Sequence, residues 1–107
     1  MSLESLYATI LARKNQGAVG ESYVASLFAK GGKKIAQKIG EEATEVVLAR
    51  DEPAELIKES ADLLFHLSVL WAYAGVTPAE VMAELTRREG TSGLDEKAAR
   101  PGIRPLS

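Results

Sequence analysis

KKIAQKIGEEATEVVLARDEPAELIKESADLLFHLSVLWAYAG, residues 33–75, decides the fold. Up to about Arg50, Ile35, Ile39, Ala43, Val46 and Val47 recur at three- and four-residue intervals with no intervening proline. That period marks an amphipathic helix. Asp51 and Pro53 predict a break and a fresh start, because proline is tolerated in a first turn but not in a helix interior. The next helix is predicted from about Pro53 to Ala74, ending at Gly75. A short turn between two long helices predicts an antiparallel pair.

Outward from this pair, the pattern stays helical. Leu3, Leu6, Tyr7, Ile10 and Leu11 give an amphipathic first helix that stops before Gly17. Ser22 is the expected N-cap of a short helix through Lys30, ended by Gly31 and Gly32. Thr77-Pro78-Ala79-Glu80 reads as an N-cap, a proline at the first helical position and a capping-box glutamate. It starts a last helix reaching about Arg88. Residues 89–107 hold Gly90, Gly93, Pro101, Gly102 and Pro105 with few large apolar groups, and read as a tail with a short helical stretch around Asp95 to Arg100. Nowhere does a two-residue alternation persist. The expected fold is all-α: one domain over residues 1–88, an antiparallel bundle of four to five helices, followed by the tail.

The helix predicted from Pro53 to Ala74 has apolar groups all round its axis: Leu63, Leu64, Phe65, Leu67, Val69, Leu70, Trp71 and Tyr73. Such a helix needs cover on several sides. The rest of a small chain can hardly supply it, so a homodimer or higher homo-oligomer is expected; the short helix or the tail is the alternative cover.

Composition excludes several classes. The 107 residues include 13 basic and 15 acidic side chains, a net charge of −2, without the basic field of a nucleic-acid binder. The absence of cysteine removes disulfides, thiolate metal sites and thiol catalysis. A lone histidine, His66, cannot build a multi-histidine centre. The amino-terminal stretch lacks the basic start and continuous apolar run of a signal peptide, and the apolar stretch from Ala61 to Ala74 is too short to span a bilayer. The expectation is a cytoplasmic protein with no membrane partner.

Chemistry concentrates on the long pair. Glu42 and Glu45 lie three apart on one helix face, and Glu59 and Asp62 repeat the spacing on the next. Measured from the turn near residues 51–53, Glu45 and Glu59 fall at similar heights, as do Glu42 and Asp62. Four carboxylates at one level suit magnesium, a hard cation that takes oxygen ligands and bridges to substrate phosphates. The competing reading is a solvated, salt-bridged surface, since acids at helical spacing commonly pair with basic residues. Against it, Lys34 and Lys38 precede the acids, the weaker order for intrahelical pairing, and Asp62 stands at the entrance of the most apolar segment.

Lys33 and Lys34 occupy the first turn of their helix, where the dipole disfavours cations and free N–H groups favour anions. Lys38 follows one turn on. Gly40 costs roughly 1 kcal/mol relative to alanine in mid-helix, and is explained if a backbone or a ligand approaches closely. His66, four after Asp62, could bond a carboxylate, contact a nucleotide or sit satisfied in the core. Arg13 and Lys14 end the first helix, where cations suit the dipole.

Glu41-Glu42-x-x-Glu45 with Glu59-x-x-Asp62 resembles the signature of the all-α nucleoside triphosphate pyrophosphatases, which include MazG-like proteins and dimeric dUTPases. Within that superfamily the chain is most similar to the phosphoribosyl-ATP pyrophosphatases of histidine biosynthesis. Ser22-Tyr23, Lys34-Ile35-x-x-Lys38-x-Gly40-Glu41-Glu42, Asp62-Leu63-Leu64-Phe65-His66 and the tail Gly90-x-Ser92-Gly93-Leu94-x-Glu96-Lys97 carry the likeness. Phe65 stands where tyrosine is usual. The resemblance implies magnesium-dependent hydrolysis of phosphoribosyl-ATP to phosphoribosyl-AMP and pyrophosphate, in an oligomer with sites near subunit interfaces. It implies that Glu42, Glu45, Glu59 and Asp62 hold the metal, and that Lys34, Lys38 and Arg13 meet phosphate charge, with His66 a further substrate-binding candidate. Glu41 would act from behind the ligands; metal and carboxylates both remain candidates for activating the attacking water.

Three rivals remain. A house-cleaning pyrophosphatase would act on non-standard nucleotides with the same site, and a non-catalytic helical interaction protein would use none of it. A di-iron four-helix protein needs Glu-x-x-His on two helices, and Leu63 stands three residues before His66.

Overall fold

The computed structural model describes residues 1–16 and 22–90, and these contain five helices and no strand. In chain order they are α1 (Leu3–Gln16), α2 (Tyr23–Lys30), α3 (Gly32–Leu48), α4 (Pro53–Ala74) and α5 (Pro78–Arg88). The expected tail helix around Asp95 lies outside the described residues.

Local chemistry sets these boundaries. Ser22 caps α2, its hydroxyl accepting from the Ala25 N–H at 3.2 Å. Pro53 opens α4, and Gly75 closes it in the left-handed conformation at φ 75° that glycine adopts without strain. The capping box of α5 is complete: the Thr77 N–H donates to Glu80 Oε1 at 2.9 Å and the Glu80 N–H donates to Thr77 Oγ1 at 3.2 Å.

Two boundaries differ from expectation. Gly31 alone ends α2, at φ 90°, and Gly32 is already the first residue of α3. Tyr73 explains why a glycine stands there, since a Cβ on Gly32 would come within 2.8 Å of its ring. At the other end α3 stops at Leu48, and residues 49–51 form the turn that leads into α4.

Helices α3 and α4 make the most extensive contact and form a helical hairpin, with α1 and α2 laid against it. The core gathers Ile10 of α1, Val24 and Leu27 of α2, Ile35 of α3, and Val69 and Ala72 of α4. Leu6, Tyr7, Phe28, Ile39, Phe65 and Leu70 pack around it. Burying such side chains supplies the main favourable term in folding.

Among the described residues, cover on α4 is incomplete. Leu64 and Tyr73 are exposed, as are Ile57 and, on α3, Val47 and Leu48. The last three surround the hairpin turn, far along the helices from the buried cluster.

Candidate metal and phosphate site

The hairpin brings the predicted acids together. One carboxylate oxygen from each of Glu42, Glu59 and Asp62 lies within 4.8 Å of the others. Glu42 and Glu59 are half-buried, whereas Asp62 is exposed, so the apolar run that follows Asp62 in sequence does not enclose it. Helical periodicity explains the difference: Leu63 and Phe65 are half-buried while Asp62 projects beside them into solvent.

Glu45 sits nearer the turn and stands outside that triad. It still faces Glu59, because its charge is among the causes that raise the Glu59 pKa, and the two share an open hollow of about 200 Å³ with Glu52, Glu55, Leu48 and Ala49. Glu59 therefore joins two acidic groups, Glu42 and Asp62 on one side and Glu45 with Glu55 on the other.

The electrostatics follow. Glu59 is held above the ordinary glutamate range, first by loss of solvation and then by the charges of Glu45, Asp62, Glu42 and Glu55. Crowded like charges disfavour a further ionisation. Among the described ion pairs, those reaching this group come from Lys38, 3.7 Å from Glu41 and 3.8 Å from Glu42. Lysine before acid was the weaker order for pairing, yet the partly buried Lys38 pairs with both. One ammonium against Glu41, Glu42, Glu45, Glu59 and Asp62 leaves a strong excess of negative charge.

The other predicted residues stand at helix ends and along α3. Lys34 is half-buried in the first turn of α3 and Lys33 exposed beside it. Arg13 is exposed in the last turn of α1. Lys14, next to it, lies 4.8 Å from the centroid of the Phe28 ring. Among the described residues, no neighbouring element comes within 4 Å of a Cβ built at Gly40. Close approach by a described residue therefore does not explain that glycine.

His66 is buried and fully engaged. Its Nδ1 lies 2.8 Å from the backbone carbonyl of Asp62 and its Nε2 2.8 Å from the Tyr23 hydroxyl. Of the meanings open to it in sequence, the satisfied interior histidine describes its surroundings. Tyr23 was not singled out as a site residue. It lies 43 positions from His66, so no spacing rule links them, and its signals in sequence were its place directly after the Ser22 cap and its part in the family resemblance.

Acids gathered on a helical hairpin, with lysines at the opening of its first helix, form a layout suited to a divalent cation and an anionic phosphate ligand. Comparison with known proteins agrees with that class. Residues 3–89 match the family model described as phosphoribosyl-ATP pyrophosphohydrolase. The chain is 57% identical over 100 residues to the phosphoribosyl-ATP pyrophosphatase of Paramagnetospirillum magneticum, covering 92% of this chain and 91% of the relative. It is 59% identical over 102 residues to that of Rhizorhabdus wittichii, covering 94% and 95%. For the enzyme of Rhodospirillum rubrum the identity is 55% over 101 residues, covering 92% and 85%. The chain belongs to the phosphoribosyl-ATP pyrophosphohydrolase family.

Proposed function

We propose that this protein hydrolyses phosphoribosyl-ATP to phosphoribosyl-AMP and pyrophosphate, a step of histidine biosynthesis, and that it does so with magnesium in the cytoplasm. Family membership carries the substrate. The observation that carries the chemistry is the convergence of Glu42, Glu59 and Asp62 within 4.8 Å, with Glu59 held above its ordinary range by its neighbours.

The donor set fits the cation. Carboxylate oxygens are hard ligands, and the exposed side of Asp62 leaves room for phosphate and water. Glu42, Glu59 and Asp62 would hold magnesium directly, and Glu45 would close the set from the turn side. When bound, the ion supplies Lewis-acid polarisation of a phosphoryl oxygen and lowers the pKa of coordinated water.

The remaining roles fall to the chain's own residues. Lys34 and Lys38 neutralise phosphate charge as pyrophosphate departs, with Arg13 as a more distant contributor. Lys38 exchanges its pairing with Glu41 and Glu42 for the substrate, which frees Glu41 to orient the attacking water from behind the ligands. His66, expected at the substrate, supports it from beneath, because both ring nitrogens already have partners.

Residues 1–88 form the catalytic unit, and a second copy covers the exposed Val47, Leu48 and Ile57 beside the acidic hollow. Contiguous exposed apolar groups of this kind mark interaction surfaces. Sedimentation equilibrium is expected to give at least a dimer; a monomer at micromolar concentration would remove that part of the proposal.

Substrate choice is tested by release of pyrophosphate from phosphoribosyl-ATP and dUTP side by side with magnesium. Preference for phosphoribosyl-ATP is expected. Preference for dUTP would replace this reading with a house-cleaning role.

A further inference from the structure

The Tyr23–His66 pair fixes where a proton points. A backbone carbonyl can only accept, so the 2.8 Å contact with Asp62 places a hydrogen on His66 Nδ1. In the neutral ring Nε2 is then the acceptor, and the Tyr23 hydroxyl, also at 2.8 Å, donates to it. Tyr23 thus spends its only proton inward. Its ring is held as well, stacked on Phe65 at a centroid distance of 6.2 Å and edge-on to His66 at 5.8 Å. Yet the residue remains 51% exposed.

The outcome is a phenol oxygen, fixed in place, that offers lone pairs and no hydrogen. A fully ionised phosphate oxygen also offers only lone pairs, so Tyr23 is poorly suited to bind one. It is suited to a donor, such as a sugar hydroxyl. Its position narrows the choice further. Two hydrogen bonds through the His66 ring tie its oxygen to the backbone carbonyl of Asp62, the residue whose carboxylate the proposed reaction sets beside the phosphates. The part of a nucleotide bonded directly to the α-phosphate is the ribose.

We propose that Tyr23, its proton turned inward by His66, accepts a hydrogen bond from a ribose hydroxyl of the substrate's adenosine and so acts as a specificity-determining residue. The proposal rests on the nucleotide-hydrolase reading above and assigns the recognition of the sugar within it. His66 is a positioning residue here: it touches no substrate and fixes which way the phenol proton points.

The test is ligand binding in the presence of magnesium, with AMP, 2′,3′-dideoxy-AMP and pyrophosphate as probes, on the wild type and Tyr23→Phe. The wild type is expected to bind AMP about tenfold more tightly than dideoxy-AMP, the scale of one well-placed hydrogen bond. Tyr23→Phe is expected to bind AMP about tenfold more weakly, while dideoxy-AMP and pyrophosphate bind as before. With phosphoribosyl-ATP the same variant is expected to raise KM and leave kcat within about twofold, the pattern of a lost binding contact. A role confined to folding would lower the melting temperature without separating AMP from dideoxy-AMP.

A wild type that does not distinguish AMP from dideoxy-AMP, including one that binds neither, overturns the proposal whether or not the variant folds. Weakened pyrophosphate binding in Tyr23→Phe overturns it too, by placing the hydroxyl on phosphate. Neither result depends on turnover. A wild type that discriminates AMP from dideoxy-AMP but does not hydrolyse phosphoribosyl-ATP would instead defeat the functional reading and leave sugar recognition standing.

Discussion

On α5, Glu84 accepts from Arg87 at 2.7 Å and from Arg88 at 2.8 Å, while Glu80 closes the capping box with Thr77. On the facing sides of α3 and α4, Glu42, Glu59 and Asp62 crowd within 4.8 Å, and the described ion pairs that reach the group come from Lys38. Hydrogen bonds from Arg87 and then Arg88 pull Glu84 down to about 2, and the backbone and hydroxyl of Thr77 lower Glu80. Glu59 moves the other way. Both regions are acidic helix surfaces, so acidity alone does not announce a site. The difference lies in whether the chain neutralises its own charge. Among the described residues, α5 does so within one helical turn, whereas the hairpin acids outnumber the basic groups paired with them.

The largest effect should come from breaking the hairpin cluster. Glu59→Gln and Asp62→Asn should each lower phosphoribosyl-ATP hydrolysis by at least about 100-fold, the scale seen when one electrostatic contributor to a transition state is removed. Helical content measured by circular dichroism should be unchanged. Without magnesium, Glu59→Gln should melt no lower than wild type, since the substitution removes repulsion. A clear fall in metal-free stability would mean that the crowded acids support the fold rather than a ligand.

The complementary change on α5 is smaller and of another kind. Thr77→Ala removes the side-chain cap and should destabilise by about 1 kcal/mol, read as a lower urea midpoint with unchanged slope. Turnover of the folded protein should match wild type. A large loss of activity would tie α5 to the site.

Smallest are the pH effects, which have opposite signs. Glu59 has a raised folded pKa, so in the metal-free protein its penalty is present above that value and is relieved as pH falls through it toward 4.5. Glu84 has a lowered one, so its contribution is present above 4.5 and lost as pH falls toward about 2. Both side chains meet solvent, which keeps each effect small. Subtracting the urea midpoints of Glu59→Gln and Glu84→Gln from wild type across pH isolates the two. Differences of the same sign would contradict the contrast.

Much of this was legible in the sequence because it depends on neighbours a few positions apart. Ser22, Pro53, Gly75 and Thr77-Pro78-Ala79-Glu80 set helix ends through local hydrogen bonds and backbone preference. The carboxylate level was readable because two three-residue spacings straddle one turn symmetrically. What escaped depends on three-dimensional approach. Gly32 opens α3, and Tyr73, 41 positions later, passes so close that a side chain there would clash. Tyr23 reaches His66 across two helices. Glu45 shares the predicted height with Glu59, but the structure's tight triad joins Glu42, Glu59 and Asp62. Lys38 defied the orientation rule because that rule ranks exposed pairs on isolated helices, and here Lys38 is partly buried beside Glu42.

Dependence on a divalent cation held by the hairpin carboxylates follows from the proposed reaction. It is tested most directly by following phosphoribosyl-ATP hydrolysis by the wild type and Glu59→Gln, first in chelator and then across a magnesium titration. In chelator no turnover is expected; magnesium should restore the wild type saturably, and Glu59→Gln little or not at all at any concentration. Undiminished turnover in chelator, or a Glu59→Gln curve that overlays the wild type, would contradict it.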